Sequence, residues 1–354
     1  MQIGWVQLVE FRSYRTLEFR PSSHLNLLIG PNAQGKTNLL EALGFLLTGR
    51  SFRTSKLSET LAWTASMTSV TGELRRADGG RIVRRMIRRL ENGAAQTSGD
   101  ACEWARVIAF GWQDLEIVNG APGARRDFID GFAGRLYPGH IAALVRYRQI
   151  VARRNHLLQM REPSLDERLE PWDEQLAVTG MELIARRRKA SAILQTELGR
   201  VFPALSGERH KVEIRYRTAL GEATEAADLL AALGRARRDE IRRGVTLVGP
   251  HRDDLAIELD GIDVRAFGSR GQQRLIALAL RLAEVLPVTE AVGTTPVLVL
   301  DDALSELDGR VRENVLREIQ GAEQVFLTSP EALPASGAAC WTVSGGTVTA
   351  EREA

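Results

Sequence analysis

The chain has 354 residues, 47 of them basic and 45 acidic, so its net charge is close to zero. With 44% hydrophobic and 26% charged residues, the composition excludes disordered, collagen-like and membrane-embedded classes and fits about two globular domains. No apolar run reaches the ~18 residues of a spanning helix, and the first residues lack a signal-peptide core. The cysteines are Cys102 and Cys340, too few for a disulfide framework. We therefore expect a cytoplasmic protein with no membrane partner.

A phosphate-binding loop is the first strong motif along the chain. Its positions fit G-x-x-x-x-G-K-[ST] and are Gly30, Pro31, Asn32, Ala33, Gln34, Gly35, Lys36 and Thr37. The apolar run 25–29 predicts a buried strand before this loop, and helical spacing over 38–47 predicts a helix after it. Backbone N–H groups of such loops wrap phosphates, Lys36 would reach the β- and γ-phosphates, and Thr37 would bind Mg²⁺. The motif predicts ATP and Mg²⁺ as ligands, with Asn38 completing the nucleotide-binding residues.

An arginine-rich hairpin is predicted after the loop. Asp78-Gly79-Gly80 separates two extended segments, 72–76 and 81–89, as in a tight hairpin turn. The arginines suit a phosphate backbone, whereas the lack of interleaved aromatic residues disfavours base stacking. The alternative is a solvated basic surface. The candidate DNA-binding residues here are Arg75, Arg76, Arg81, Arg84, Arg85 and Arg88.

The middle of the chain, residues 121–245, predicts an inserted arm that is mainly helical. We expect helices around 141–160, 165–202 and 229–243, a helix break at Glu162-Pro163-Ser164 and a strand over 212–217. The arm carries a net charge of +6, against −4 for the rest of the chain, which favours a local DNA surface. Its candidate DNA contacts are Arg186, Arg187 and Lys189, although a solvated helix face is the alternative.

Two further segments complete a nucleotide site. Ser269, Arg270, Gly271 and Gln272 precede a helical run and form a second anion-binding device. The P-loop of the same chain does not require it, so we expect it to cap the γ-phosphate of ATP bound to a second copy. The apolar run 297–300 ends in Asp301 and Asp302, on a strand expected to neighbour that of the P-loop. Together with Lys36 these are the catalytic candidates: Asp301 would hold Mg²⁺ and Asp302 would polarise the attacking water.

Several longer motifs resemble the RecF family, bacterial recombination mediators of the ABC/SMC ATPase group. The most specific are GPHRDDL at 249–255, SRGQQR at 269–274 and DDALSELD at 301–308. Further agreement lies at 10–15, 30–43, 49–54, 114–130, 154–158 and 172–177. The resemblance therefore covers nearly the whole chain. It implies an α/β fold: an ABC-type P-loop ATPase head with a mixed sheet and helices, built from 1–120 and 246–354, with the arm inserted over 121–245.

The resemblance also implies a function. A RecF-like protein would be an ATP-dependent homodimer that binds double-stranded and gapped DNA in recombinational repair, replication and the SOS response. It would help RecO and RecR load RecA, with a weak, DNA-stimulated ATPase serving as a conformational switch. The glutamine that contacts Mg²⁺ in ABC heads has one candidate, Gln113. No histidine follows His251, so Thr328 or Ser329 would replace the switch histidine of transporter ATPases.

Two other classes remain open alternatives. One is another ABC/SMC-type ATPase, engaged in chromosome maintenance or associated with a nuclease, which would require additional metal-binding carboxylates. The other is a transporter ATPase subunit, which usually carries the switch histidine and requires a docking surface for a membrane domain.

Overall fold

A computed structural model describes residues 1–54, 56–91, 94–99, 102–160, 165–208, 210–333 and 337–351. The helix break expected at Glu162-Pro163-Ser164 lies outside these residues. The chain divides into two compact units. The first comprises Met1–Leu115, Val201–Arg209 and Arg274–Ala354, and the second comprises Glu116–Arg200 and His210–Gln273.

The strands and helices are numbered in chain order. The strands are β1 (Gln2–Phe11), β2 (Tyr14–Phe19), β3 (Leu25–Ile29), β4 (Met67–Arg75), β5 (Arg81–Glu91), β6 (Ala94–Gly99), β7 (Val107–Phe110), β8 (Val212–Arg217), β9 (Asp254–Leu259), β10 (Ile262–Asp263), β11 (Val297–Leu300), β12 (Val325–Ser329), β13 (Ala339–Ser344) and β14 (Thr347–Ala350). The helices are α1 (Lys36–Thr48), α2 (Leu115–Asn119), α3 (Pro122–Leu136), α4 (His140–Met160), α5 (Leu165–Ser206), α6 (Ala226–Arg243), α7 (Val264–Phe267), α8 (Arg270–Leu282), α9 (Val285–Val292) and α10 (Gly309–Ile319). The strands and helices expected from the sequence are confirmed.

The boundaries of the second unit differ from those expected for the arm, 121–245. The second unit continues to Gln273 because β9 pairs with β8 along its length, which ties the segment after 245 to the arm. The stretch Val201–Arg209 groups with the first unit, since its backbone accepts hydrogen bonds from Asn314 and Arg310 of α10.

The first unit is built on two sheets that both pack against α1. The six-stranded sheet has the order β14-β13-β3-β12-β11-β7, and all its pairs are parallel except that of β13 with β14. The five-stranded sheet is antiparallel, with the order β2-β1-β4-β5-β6. Apolar side chains from both sheets and from α1 form one buried cluster. Parallel strands thus bring the ends of β3 and β11 to the same edge of the sheet.

The arginine-rich hairpin is formed by β4 and β5. Arg75 lies opposite Arg81, so the turn falls at the predicted Asp78-Gly79-Gly80. Within the described part of the chain, no helix is long and apolar enough to cross a membrane.

The second unit combines helices α2 to α7, except the last residues of α5, with a small antiparallel sheet of order β10-β9-β8. Its apolar core includes Leu144 of α4, Leu176 of α5 and Leu229 of α6. A buried ionic group joins the same three helices: Arg154 contacts Asp173 at 2.6 Å and Glu240 at 2.5 Å. Because each charge is paired, these contacts fix the helices relative to one another.

Candidate functional site

The P-loop connects the end of β3 to the start of α1, and its glycines are required by close backbone approaches. Gly30 has φ +149°, and a Cβ there would lie 2.4 Å from the carbonyl oxygen of Val343. Gly35 has φ +110°, and its Cβ would lie 3.0 Å from the hydroxyl of Tyr14. That hydroxyl donates a 3.0 Å hydrogen bond to the Gly35 carbonyl. The loop is therefore held in shape before any phosphate binds.

Lys36 lies at the start of α1 and is almost buried, with 8% of its surface exposed. Its Nζ donates to the carbonyl oxygens of Gly30 and, at 2.9 Å, Pro31. Burial lowers the pKa of the Lys36 amine, while the charges of Asp301 and Asp302 oppose that shift. Among the described residues, no ion pair of Lys36 is found, so its charge lacks a direct counter-ion. A buried cation without a direct ion pair is suited to binding an anion.

Asp301 and Asp302 follow β11 at the same sheet edge as the P-loop. The expectation that their strand neighbours the P-loop strand is wrong, because β12 lies between β3 and β11. Asp301 nevertheless reaches the P-loop: its Oδ1 accepts hydrogen bonds from Thr37 Oγ1 at 3.0 Å and Thr328 Oγ1 at 2.9 Å. Burial raises the pKa of Asp301, and the two hydroxyl donors lower it. The hydroxyl of Thr37 beside a carboxylate is an oxygen-donor set that fits Mg²⁺.

A cavity of about 350 Å³ lies where these elements meet. Its lining residues are Asn32, Ala33, Gly35, Lys36, Thr37, Asn38, Arg53, Trp112, Arg274, Asp301, Asp302, Thr328, Ser329 and Pro330. The predicted catalytic candidates are all present. Thr328 and Ser329, the candidates to replace a switch histidine, also line the cavity.

The sequence predicted no role at this site for four lining residues, Arg53, Trp112, Arg274 and Pro330. Arg53 donates to the side-chain oxygen of Asn38 at 2.8 Å. Trp112 is 62% exposed at the cavity. Gln113, the glutamine predicted to contact Mg²⁺, does not line the cavity. Its side chain donates to the carbonyl oxygen of Arg53 at 2.6 Å. Arg53 belongs to the GRSFRT segment at 49–54, whose resemblance to the RecF family could have indicated it as a site residue.

The segment predicted to act on a second copy begins α8. The N–H of Gln272 donates to Ser269 Oγ at 3.2 Å, and the N–H of Ser269 donates to the Gln272 side chain at 2.8 Å. This reciprocal pair is a capping box, which orders the start of a helix. Ser269, Arg270 and Gln272 are exposed, and Gly271 is half-buried. The segment belongs to the second unit, whereas the P-loop belongs to the first.

Three of the predicted DNA contacts are corrected by the structure because their side chains are buried. Arg84 donates to the carbonyl oxygen of Leu47, and Arg88 lies 4.4 Å from the ring centroid of Phe45. Arg187 forms hydrogen bonds with both carboxylate oxygens of Asp130, each at 2.7 Å.

The other six predicted contacts differ in how available they are. Arg81, Arg85 and Lys189 are exposed. Arg75, Arg76 and Arg186 are partly exposed, and each pairs with a nearby acid: Glu73, Asp78 and Glu182 respectively.

Two motifs of the second unit, at 125–126 and 253–254, bind each other. Arg125 holds Asp254 through two hydrogen bonds, of 2.7 and 2.9 Å, and Arg126 donates to the carbonyl of Asp253. His251 accepts or donates at 2.7 Å to the Tyr147 hydroxyl. Across the described residues, no group of three or more His, Cys, Asp or Glu side chains could hold a metal ion.

The chain is similar in sequence to known protein families and relatives. Residues 6–116 match the AAA domain family. The DNA replication and repair protein RecF of Heliobacterium modesticaldum is 35% identical over 95% of this chain and 96% of its own. That of Desulforudis audaxviator is 36% identical over 99% of this chain and 100% of its own. This chain belongs to the RecF family.

Solved structures agree with that membership. A structure of the recombination mediator RecF with ATP, from the RecFOR pathway, has a TM-score of 0.88 and 29% identity, covering 99% of this chain and 98% of its own. An Smc head bound to a domain of ScpA has a TM-score of 0.58 at 14% identity, over 99% and 97% of the two chains, which shows the fold alone. The expected fold, an ABC-type head of the RecF family, is confirmed.

Proposed function

We propose that this member of the RecF family is an ATP-controlled DNA-binding protein of recombinational repair and replication restart. ATP would bring two copies together so that they clamp double-stranded DNA at gaps or single-/double-strand junctions. The observation that carries the proposal is the cavity in which the P-loop, the buried Lys36 and the two aspartates converge. Weak, DNA-stimulated hydrolysis would then reset the clamp.

Different residues of the cavity would bind the phosphates, hold Mg²⁺ and activate the attacking water. Lys36 would exchange its two carbonyl acceptors for the β- and γ-phosphates, and the N–H groups at the start of α1 would donate to phosphate oxygens. Thr37 and Asp301 would hold Mg²⁺, which supplies positive charge that offsets the phosphates. Asp302, whose side chain is 57% exposed, would accept a proton from the attacking water.

The second copy would close the site. Ser269 and Gln272 are exposed at the start of a capped helix, where N–H groups and a hydroxyl suit the γ-phosphate. A nucleotide bound by one copy would thereby become part of the contact with the other. Dimerisation would depend on ATP for this reason.

The DNA surface would use the exposed part of the basic set. Arg81 and Arg85 alternate along one face of β5, and Lys189 is exposed on α5. Contacts of this type reach the phosphate backbone, so binding would be sensitive to salt and weakly dependent on sequence. Membership of the RecF family supports RecO and RecR as partners in loading RecA.

Measuring duplex affinity and sedimentation of the purified chain, with and without ATP, tests the proposal. We expect ATP to shift the chain towards a dimer and to tighten DNA binding at least ~10-fold, because binding of nucleotide and partner are linked. Lys36→Met should abolish both responses. If ATP changes neither the duplex affinity nor the self-association of the unmodified protein, the clamp proposal is contradicted.

A second variant separates the two halves of the composite site. Ser269→Arg places a bulky side chain in the segment that would face the other copy, so dimerisation should fail while ATP binding stays within ~3-fold of normal. Loss of ATP binding itself would mean that Ser269 acts in its own subunit's site.

A further inference from the structure

The backbone of Asp302 has an unusual conformation. Its φ is +51°, in the left-handed region that is unfavourable for a non-glycine residue. Such a conformation persists only where neighbouring groups hold it. The carboxylate that lines the cavity therefore depends on those groups for its direction.

Two side chains hold Asp302 through its backbone. The N–H of Asp302 donates to Thr328 Oγ1 at 2.7 Å, and Thr328 also donates to Asp301. The carbonyl oxygen of Asp302 accepts a hydrogen bond from the guanidinium of Arg274. Both polar groups of this backbone unit are thus occupied, which leaves the side chain directed to the cavity.

Arg274 is buried but poorly paired, which indicates a role other than stabilising the fold. It is 5% exposed, lies 5.9 Å from the ring centroid of Phe110, and its Nε has no hydrogen-bond partner among the described residues. The nearest carboxylate oxygen, Oδ2 of Asp302, is 3.7 Å away. Burying a poorly paired guanidinium is unfavourable, and an apolar side chain there would be equally or more stable.

We propose that Arg274 is a positioning residue for ATP hydrolysis, which holds Asp302 in its left-handed conformation and so directs the Asp302 carboxylate at the attacking water. The inference rests on the proposed function, since it assigns a role within the same hydrolytic site. Arg274 acts through Asp302 and requires no bond to the nucleotide. Without this hold, the Asp302 backbone retains only its bond to Thr328 and a 3.3 Å bond from the N–H of Ser305, and the carboxylate is less well directed.

Steady-state hydrolysis by the full-length chain tests this role. Arg274→Met retains length and packing against Phe110, and we expect kcat to fall at least ~10-fold while KM for ATP changes less than ~3-fold. Arg274→Lys keeps one cationic donor and should retain at least about a third of the normal kcat. If both folded variants have normal kcat, or if both raise KM as much as they lower kcat, the role is refuted.

A double-mutant cycle distinguishes positioning from direct contact with phosphate. Asp302→Asn removes the carboxylate that Arg274 directs, so adding Arg274→Met to it should cause no further loss of kcat. Independent, multiplicative losses would overturn the proposal, because they mean that Arg274 acts without Asp302.

Arg312→Ala is the matched control. Arg312 also donates to a backbone carbonyl of the loop after β11, that of Leu304 at 3.1 Å, but it does not line the cavity. Its kcat should equal that of the unmodified protein. An unmodified protein without hydrolysis above background would refute the ATPase proposal and this inference together, whereas normal kcat in Arg274→Met would refute only the inference.

Discussion

Buried cations in the two units of the molecule have opposite electrostatic surroundings. Lys36 in the first unit has backbone carbonyls as its hydrogen-bond acceptors, and burial lowers its pKa. Arg187 in the second unit holds the carboxylate of Asp130 with two hydrogen bonds, and those contacts raise its pKa despite burial. A paired cation stabilises the fold, whereas an unpaired one is available to an anionic ligand. The sequence does not show that Arg187 is paired, whereas the structure does, through Asp130.

The largest effect should come from removing the paired cation. Arg187→Met leaves Asp130 buried without its guanidinium, and breaking such a pair costs about 3–5 kcal/mol of the free energy of unfolding. Urea denaturation measures this loss. Lys36→Met is the matched variant in the other unit, and its free energy of unfolding should not fall. Equal destabilisation by both changes would remove the distinction between the two cations.

A smaller effect concerns a buried base that stays neutral. Burial lowers the pKa of His251 to about 4, below its ordinary value of about 6.5. Between these values the unfolded chain binds a proton and the folded chain does not, so stability is full above pH 6.5 and falls as the pH drops towards 4. At pH 5 the loss should be about 2 kcal/mol relative to pH 7.5.

His251→Asn checks that pH dependence. Subtracting its free energy of unfolding from that of the unmodified chain, at pH 7.5 and pH 5, isolates the contribution of the imidazole. A difference that is the same at both pH values would show that His251 is protonated as readily when folded as when unfolded.

The smallest expected effect is on DNA binding by the exposed arginines of β5. Replacing Arg81 and Arg85 by alanine should weaken duplex binding about 10-fold and reduce the salt slope of log K by about 2, since each phosphate contact contributes roughly 0.9. Arg20→Ala is the control, because Arg20 is exposed elsewhere on the first unit. An unchanged slope would place the DNA surface away from β5.

Local patterns predicted much of this structure. The apolar run 25–29, the glycine-rich loop and the following helical spacing predicted β3, the P-loop and α1, because each depends on neighbouring residues. The run 297–300 likewise predicted β11. Ser269 and Gln272, three residues apart, have the spacing of a capping box, and the structure forms one.

The remaining features depend on contacts between distant segments. Arg274 and Trp112 reach the cavity from separate parts of the chain, which no local spacing reveals. The buried Arg84 and Arg88 flank Met86 at alternate positions of β5, so period-two alternation was the available signal that they face inward. An arginine on the core face contradicts the usual pattern, and only the aromatic ring of Phe45 and the surrounding acceptors explain it.

The position of α1 between two sheets limits how its sequence can drift. From Leu39 to Leu47 every residue of the helix is buried, so this stretch offers no solvent-facing position where substitutions are neutral. Its first turn must also accommodate the nucleotide. For protein engineering, this makes α1 a poor place for labels or stabilising surface changes.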